Sequence, residues 1–378
     1  MKKPLEGIIV LEFSQFMAGP SAGLRLADLG ARVIKIERPK TGEAGRQIAT
    51  KNMFQDGSSL VFHTTNRNKE SYAANLKSPE DLEKIKKLIS KADVITHNFR
   101  PGVMEKIGLR YEQVKEINPR LIYATITGYG TKGEWKSKPG QDLLVQSLSG
   151  LTQLTGNNSD APTPMGVAVV DMLCGTHFVQ GIIAALIQRA KTNKGTWVAV
   201  NLLESAIDFQ LEILTTYLNN GQEKPVRSET NNAHVLLQAP YGLYQTSDGY
   251  IAIAMGKLTE LFNILKISET TLLEEPFENR NEIKEILAKN LINQTADKVL
   301  NLLQSEEIWC SVVNNYHEFL NSKEFEELKM RQEVKLQNGK KLSTTRCPIR
   351  INGQLLNSET PAPRVGEHSE KLNLEFEL

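Results

Sequence analysis

Asp171 is the residue whose type and setting in this sequence best suit covalent chemistry. Val167 to Val170 is apolar and reads as a strand, and the residues from about Thr176 to Ala190 read as a long apolar helix, so a carboxylate stands where one hands over to the other. Burying a carboxylate there is costly unless it caps the helix or does chemistry. Both readings stay open. It is an N-cap for the helix, or it is a nucleophile that the helix N-terminus holds ionised and that attacks an acyl thioester.

Positive charge follows three βα elements, at Arg38, Lys77 and Arg100, near the strand ends where open α/β sheets bind ligands. That suits a phosphorylated ligand; the plainer reading is solvated surface charge. Asn98-Phe99-Arg100-Pro101-Gly102 comes directly after a strand. Its Asn can bond a purine or pantetheine amide, its Phe can stack on a ring and its Arg can neutralise phosphate, or the segment is a Pro-Gly turn over a core Phe. Glu37 ends a strand where a ribose-binding acid would sit. The turn from Ser14 to Pro20 nevertheless lacks the GxGxxG fingerprint, and Pro20 offers no N–H to a pyrophosphate. The six histidines show no HExxH and no i,i+4 pair, and the three cysteines, Cys174, Cys310 and Cys347, form no CxxC, so no metal site or disulfide framework is expected. Cys174, one turn past Asp171, reads as a packing residue.

The elements that must position these groups alternate. Gly7 to Phe13 reads as a strand, Gly19 to Leu29 as a helix and Arg32 to Glu37 as the next strand. Glu80 to Ser90 is a helix with Ser78 as N-cap and Pro79 at its first position, and the strands Asp93 to Thr96, Leu121 to Thr127 and Thr196 to Leu202 follow. The alternation predicts a doubly wound, mostly parallel, Rossmann-like α/β sheet. A helix is expected over Glu204 to Asn219. Beyond it, residues 220–230 are polar and read as a linker. A hairpin around Ser247-Asp248-Gly249 and two amphipathic helices between Asn281 and Ser305 then predict a smaller α+β domain. The expected division is 1–219 as the first part of the large domain, 231–325 as the small one, and 326–378 as a return linker with the rest of the large domain.

The whole chain of 378 residues has 45 Lys plus Arg against 44 Asp plus Glu, and a net charge of +1 gives no general attraction to nucleic acid or to an anionic membrane. At 40% hydrophobic and 24% charged it has the composition of a globular protein, and its length exceeds what one core usually holds. The apolar run Ile8 to Leu11 is too short for a signal peptide, and Phe178 to Ile187 is too short to span a bilayer. A cytoplasmic location is expected.

Read together, several segments resemble the class III CoA-transferases, the family of formyl-CoA:oxalate and carnitine CoA-transferases. They are Pro4-Leu5-Glu6-Gly7, Val10-Leu11-Glu12-Phe13, Ala18-Gly19-Pro20, the run Ala27 to Arg38, Asn66-Arg67-Asn68-Lys69, Asn98 to Gly102, Gly128-Tyr129-Gly130, Pro139 to Leu143, Gln146 to Leu151, Asp171 to Gly175 and Ala362 to His368. The resemblance implies that Asp171 attacks an acyl-CoA to give a mixed anhydride, which the CoA thiolate converts to an aspartyl-CoA thioester before an acceptor carboxylic acid attacks. It implies Asp142 and Gln141 as active-site support, and Gln15, Phe16, Met17, Arg38, Lys77, Asn98, Phe99, Arg100 and Lys106 as CoA contacts. CoA and acyl-CoA would be substrates, with no permanently bound cofactor, and the chain would form an interlocked homodimer. Met17 stands where the oxalate enzymes carry glutamine, which points away from oxalate and formate. The racemase branch of the family has Gly-His-Asp where this chain has Gly140-Gln141-Asp142, so no matched acid and base for α-proton exchange is present. An α-methylacyl-CoA racemase-like enzyme and a non-catalytic CoA-binding protein are the two alternatives.

Overall fold

The apolar run that ends in Glu12 forms strand β1 (Ile9–Glu12), near the middle of a six-stranded sheet in the computed structural model, which describes residues 2–378. The other strands are β2 (Arg32–Glu37), β3 (Glu70–Ala73), β4 (Val94–His97), β5 (Ile122–Thr127) and β6 (Thr196–Asn201). Their order is β3-β2-β1-β4-β5-β6, and every pairing is parallel. This is the expected doubly wound sheet. Strand order reverses between β1 and β4, and a sheet of this kind opens a ligand crevice there, at the carboxyl ends of the strands.

Both faces are covered. Helix α1 (Ala18–Asp28) follows β1, and helix α2 (Pro79–Lys91) starts as its sequence dictates, with Ser78 as N-cap and Pro79 in the first turn. The stripe Ile85, Leu88 and Ile89 of α2 is buried with helix α3 (Tyr111–Ile117) against Leu11, Ile34 and Ile95. Each such side chain contributes about 1.5–3 kcal/mol on burial. Helix α4 (Asp142–Leu148) precedes the long helix α5 (Val169–Thr192), which packs against α1, β5 and β6. At 24 residues α5 is long and apolar enough to cross a membrane by length and composition, and it is the one such helix among the described residues. One face of it is buried, with Val170, Cys174, Phe178 and Ile182 fully covered.

Two corrections concern this region. No strand precedes Asp171: α5 begins at Val169 and places Asp171 inside its first turn, with Ala168 as N-cap residue. The helix expected over Glu204 to Asn219 is two helices, α6 (Leu202–Phe209) and α7 (Leu211–Asn219), broken at buried Gln210, whose backbone leaves the helical region.

The chain divides into two compact units, one of residues up to Val145 with Ala168–Phe209 and Leu328–Leu378, the other of Gln146–Val167 with Gln210–Glu327. The first holds the parallel sheet, and the chain's end returns to it. Helix α11 (Ser369–Phe376) lies against β3, where Asn373 accepts from the Tyr72 hydroxyl at 2.8 Å and the Ser369 hydroxyl accepts from the Ala73 N–H at 3.0 Å. The second has an antiparallel sheet of β7 (Gly242–Gln245), β8 (Tyr250–Ile253) and β9 (Cys310–Val312), with β8 central. Helices α8 (Leu258–Leu265), α9 (Arg280–Leu291) and α10 (Ala296–Ser305) close its core around Tyr244, Phe262 and Leu287. Residues 220–230 have no regular structure, yet Arg227 is buried in this unit, donating to the carbonyl of Thr155 at 2.6 Å.

Candidate active site

The N-terminus of α5 has no side-chain cap of its own, because Ala168 carries no side-chain acceptor. Asp142, at the start of α4, supplies one: its Oδ2 accepts from the N–H of Val170 at 2.8 Å and of Asp171 at 3.0 Å. Two glycines let α4 begin this close. A Cβ on Gly140 would meet the Gly128 Cα at 2.5 Å, and one on Gly128 would meet the Gly140 Cα at 2.8 Å, so the turn after β5 and the approach to α4 touch backbone to backbone. Tyr129 holds the same approach through a 3.1 Å bond to the carbonyl of Pro139.

Asp171 itself is half-buried. Burial raises its pKa, the nearby Asp142 carboxylate raises it further, and together they push it to about 7. The helix N-terminus favours the ionised form, but burial and the like charge outweigh it. The group therefore changes charge near neutral pH.

The loop after β1 lies at the strand reversal. Asn98, just past β4, clasps it: the Gln15 N–H donates to Asn98 Oδ1 at 2.8 Å, and Asn98 Nδ2 donates to the Gln15 carbonyl at 2.7 Å. Phe16 has a left-handed backbone, φ 66°, and its ring is 48% exposed. Met17 precedes α1 and its carbonyl accepts from the Ser21 N–H at 2.8 Å. Helices α1 and α5 meet where a Cβ on Gly175 would lie 2.6 Å from the Ser21 hydroxyl and 2.8 Å from the Ala18 carbonyl. Asp171 is one turn before Gly175 on the same face of α5.

The structure sets the remaining sequence-selected residues on the same side of the sheet without joining them into one cluster. Arg38 follows β2, Lys77 lies beyond β3, Arg100 follows β4 and Lys106 ends a single helical turn after it, all four exposed. Phe99 stacks on His97, with centroids 5.9 Å apart and planes 26° apart. Burial pushes the His97 imidazole down to about 4, so it is neutral. Gln141 is exposed, and its carbonyl accepts from Val145 at the start of α4. Glu37 is engaged by Arg46 through two bonds of 2.6 and 2.8 Å and is closed to any ribose.

Sequence reasoning missed a buried charge network under the loop. Lys69 Nζ donates to both oxygens of Glu12 at 2.9 Å and to the carbonyl of Pro20 at 2.9 Å, and Lys35 Nζ donates to Glu12 at 3.0 Å and to the carbonyl of Ser14 at 2.8 Å. Glu43 lies 3.4 Å from Lys35 and accepts from the Phe16 N–H at 2.9 Å. With Glu37 and Arg46 the network has three acids and three bases, none more than 4% exposed. One signal was available: Glu12 and Lys35 are charges inside otherwise apolar strands, and a charge there must be paired.

Fold and site together define an α/β enzyme with its acid pair at a helix N-terminus near the crevice of a doubly wound sheet. The family model described as CoA-transferase family III matches residues 5–369, and the chain belongs to that family. It is 32% identical to the succinate–glutarate CoA-transferase of Agrobacterium fabrum over 100% of this chain and 96% of that one. It is 32% identical to the succinyl-CoA:glutarate CoA-transferase of Homo sapiens over 97% of this chain and 84% of that one. The crystal structure of a CAIB/BAIF family protein from Brucella suis superposes with a TM-score of 0.85 at 30% identity and covers 100% of both chains.

Proposed function

We propose that this enzyme moves CoA from an acyl-CoA to an acceptor carboxylic acid through covalent intermediates on Asp171. In the first step an Asp171 oxygen attacks the thioester carbonyl, the C–S bond breaks, and CoA leaves as the thiolate from a mixed anhydride. The thiolate then attacks the aspartyl carbonyl of that anhydride, which releases the donor acid as its carboxylate and leaves an aspartyl-CoA thioester. The acceptor carboxylate attacks this thioester, and the thiolate returns to the acceptor's acyl carbon to give the new acyl-CoA and free Asp171. Each step exchanges groups of similar energy, so the reaction needs no outside energy source, provided water is excluded.

The observation that carries this reading is the pairing of Asp171 with Asp142 at the start of α5, where one carboxylate fixes the backbone of the other and helps keep its pKa near neutral. Gln15, Phe16, Met17, Asn98 and Phe99 form the cradle for the pantetheine and adenosine parts of CoA, and Arg38, Lys77, Arg100 and Lys106 meet its phosphates. Gln141 supports Asp142. The two relatives act on succinate and glutarate by name, so short dicarboxylic acids are the proposed donor and acceptor. The active form is a cytoplasmic homodimer, in which the unit built from both chain ends binds CoA.

The test is a transfer assay with succinyl-CoA and a panel of mono- and dicarboxylates. Ping-pong kinetics, with glutarate among the accepted acids, support the reading. Exchange of the α-proton of a 2-methylacyl-CoA in heavy water without transfer to any acid would instead make the chain a racemase. CoA binding with neither reaction would make it a binding protein.

A further inference from the structure

The loop that enters α1, with the first turn of that helix, has several backbone groups held by side chains from elsewhere. Lys35 holds the carbonyl of Ser14, Asn98 both backbone groups of Gln15, Glu43 the N–H of Phe16 and Lys69 the carbonyl of Pro20. Three of these four holders are buried charges. Phe16 is the position that most needs holding, because its φ of 66° is a left-handed backbone that disfavours a bulky side chain. The bond that secures it comes from Glu43, which lies in the turn after β2, caps the short helical turn Ala44–Gln47 through Gly45 at 3.2 Å, and is only 4% exposed.

We propose that Glu43 is a positioning residue for CoA binding, acting through the Phe16 N–H to hold the Gln15 to Met17 loop in the shape that receives the thioester end of CoA. The inference rests on the CoA-transferase reading of this loop. A hydrogen bond from the Phe16 N–H to a charged acceptor outweighs the conformational cost at Phe16. The anchor is itself set by the network: Lys35 bridges Glu43 to Glu12, and Lys69 ties Glu12 to the first turn of α1. The same charges that stabilise the sheet's interior thus fix the shape of the site above it. The carboxylate makes no contact with the reacting atoms, so its effect falls on CoA affinity and on KM more than on kcat.

The experiment uses the full chain with Glu43→Ala, with Glu43→Met, which fills the volume without offering an acceptor, and with Glu43→Gln, which keeps one oxygen for the Phe16 N–H. Where Glu43→Ala does not fold, Glu43→Met carries the same test. Amide hydrogen exchange of the peptide spanning residues 14–20 reads the loop directly and needs no CoA. Titration with CoA and steady-state kinetics read the consequence. Glu43→Ala or Glu43→Met is expected to speed exchange at Phe16 about tenfold or more and to raise the Kd for CoA and the KM for acyl-CoA about tenfold, with kcat changed less than about threefold. Glu43→Gln is expected to recover most of both. Unchanged exchange in the two variants that remove the acceptor would overturn the proposal. So would faster exchange with unchanged CoA affinity. A wild-type protein that binds no CoA would overturn the transferase reading and this inference with it, a result told apart from the others because the exchange data stand without CoA.

Discussion

The carboxylate of Asp142 accepts the backbone N–H of Asp171 at 3.0 Å and that of Val170 at 2.8 Å, so one acid caps the helix whose first turn carries the other. The arrangement has two opposite effects. The cap fixes the position of Asp171, and the charge that does the capping opposes the ionisation of Asp171.

The rate of acyl transfer to Asp171 is therefore expected to rise with pH through about 7, because the attacking group is the ionised form. Asp142→Asn keeps an oxygen for the two N–H groups and removes the like charge. Its pH profile should move to lower pH by up to about one unit, and not further, since burial is the larger cause. Asp142→Ala removes the cap as well, at a cost of about 0.5–2 kcal/mol, and should lower kcat at every pH. Single-turnover rates from pH 5 to 9 separate the two.

The raised pKa has the reverse consequence for stability. The folded chain holds the Asp171 proton more tightly than the unfolded chain does, so stability contributed by this group falls as pH rises from about 4 towards about 7 and stays lost above it. Asp171→Asn cannot ionise. It should be inactive, yet more stable than the wild type at pH 8 by on the order of 1 kcal/mol, about 2 °C in Tm for a chain of this size, with the gap closing at pH 5. Thermal melts at the two pH values check the sign.

Gly140→Ala places a methyl 2.5 Å from the Cα of Gly128, with backbone on both sides and no flexible atom to give way. It should displace the start of α4 and with it Asp142. We expect kcat to fall by about tenfold or more, an effect on the order of 1–3 kcal/mol, and Gly128→Ala should do the same. A crystal structure of either variant would show whether the two bonds from Asp142 are broken.

Asn98→Ala removes both bonds that hold Gln15. The loss is expected to cost about 1–3 kcal/mol in CoA affinity, and Asn98→Asp should recover less than half of it, since an acid offers no donor to the Gln15 carbonyl. Calorimetric titration with CoA measures both.

Much of the sheet was legible because its signals are local. Ser78 and Pro79 announce α2, and the run from Arg32 to Glu37 is a strand from end to end. The start of α5 was misread for the same reason. Val167 to Val170 is rich in valine and has the strand propensity of β-branched residues, while the group that caps the helix beginning at Val169 is Asp142, 28 positions before Val170. Asp142 entered through a family resemblance, because no spacing marks it. Glu43 was invisible on any local reading: it is one acid in a turn, and its partner Phe16 lies 27 positions earlier. The charges of Glu12 and Lys35 were visible as breaks in apolar strands, but which buried groups pair with which depends on the strand order that brings β1, β2 and β3 side by side.

The most direct test is to incubate the protein with succinyl-CoA, quench with hydroxylamine, and locate any hydroxamate by peptide mass spectrometry beside the Asp171→Ala variant. The account predicts a hydroxamate on the peptide containing Asp171, or a CoA-sized adduct there before quenching, and neither in the variant. An activated carboxylate on any other residue, or full transfer activity in Asp171→Ala, would contradict it.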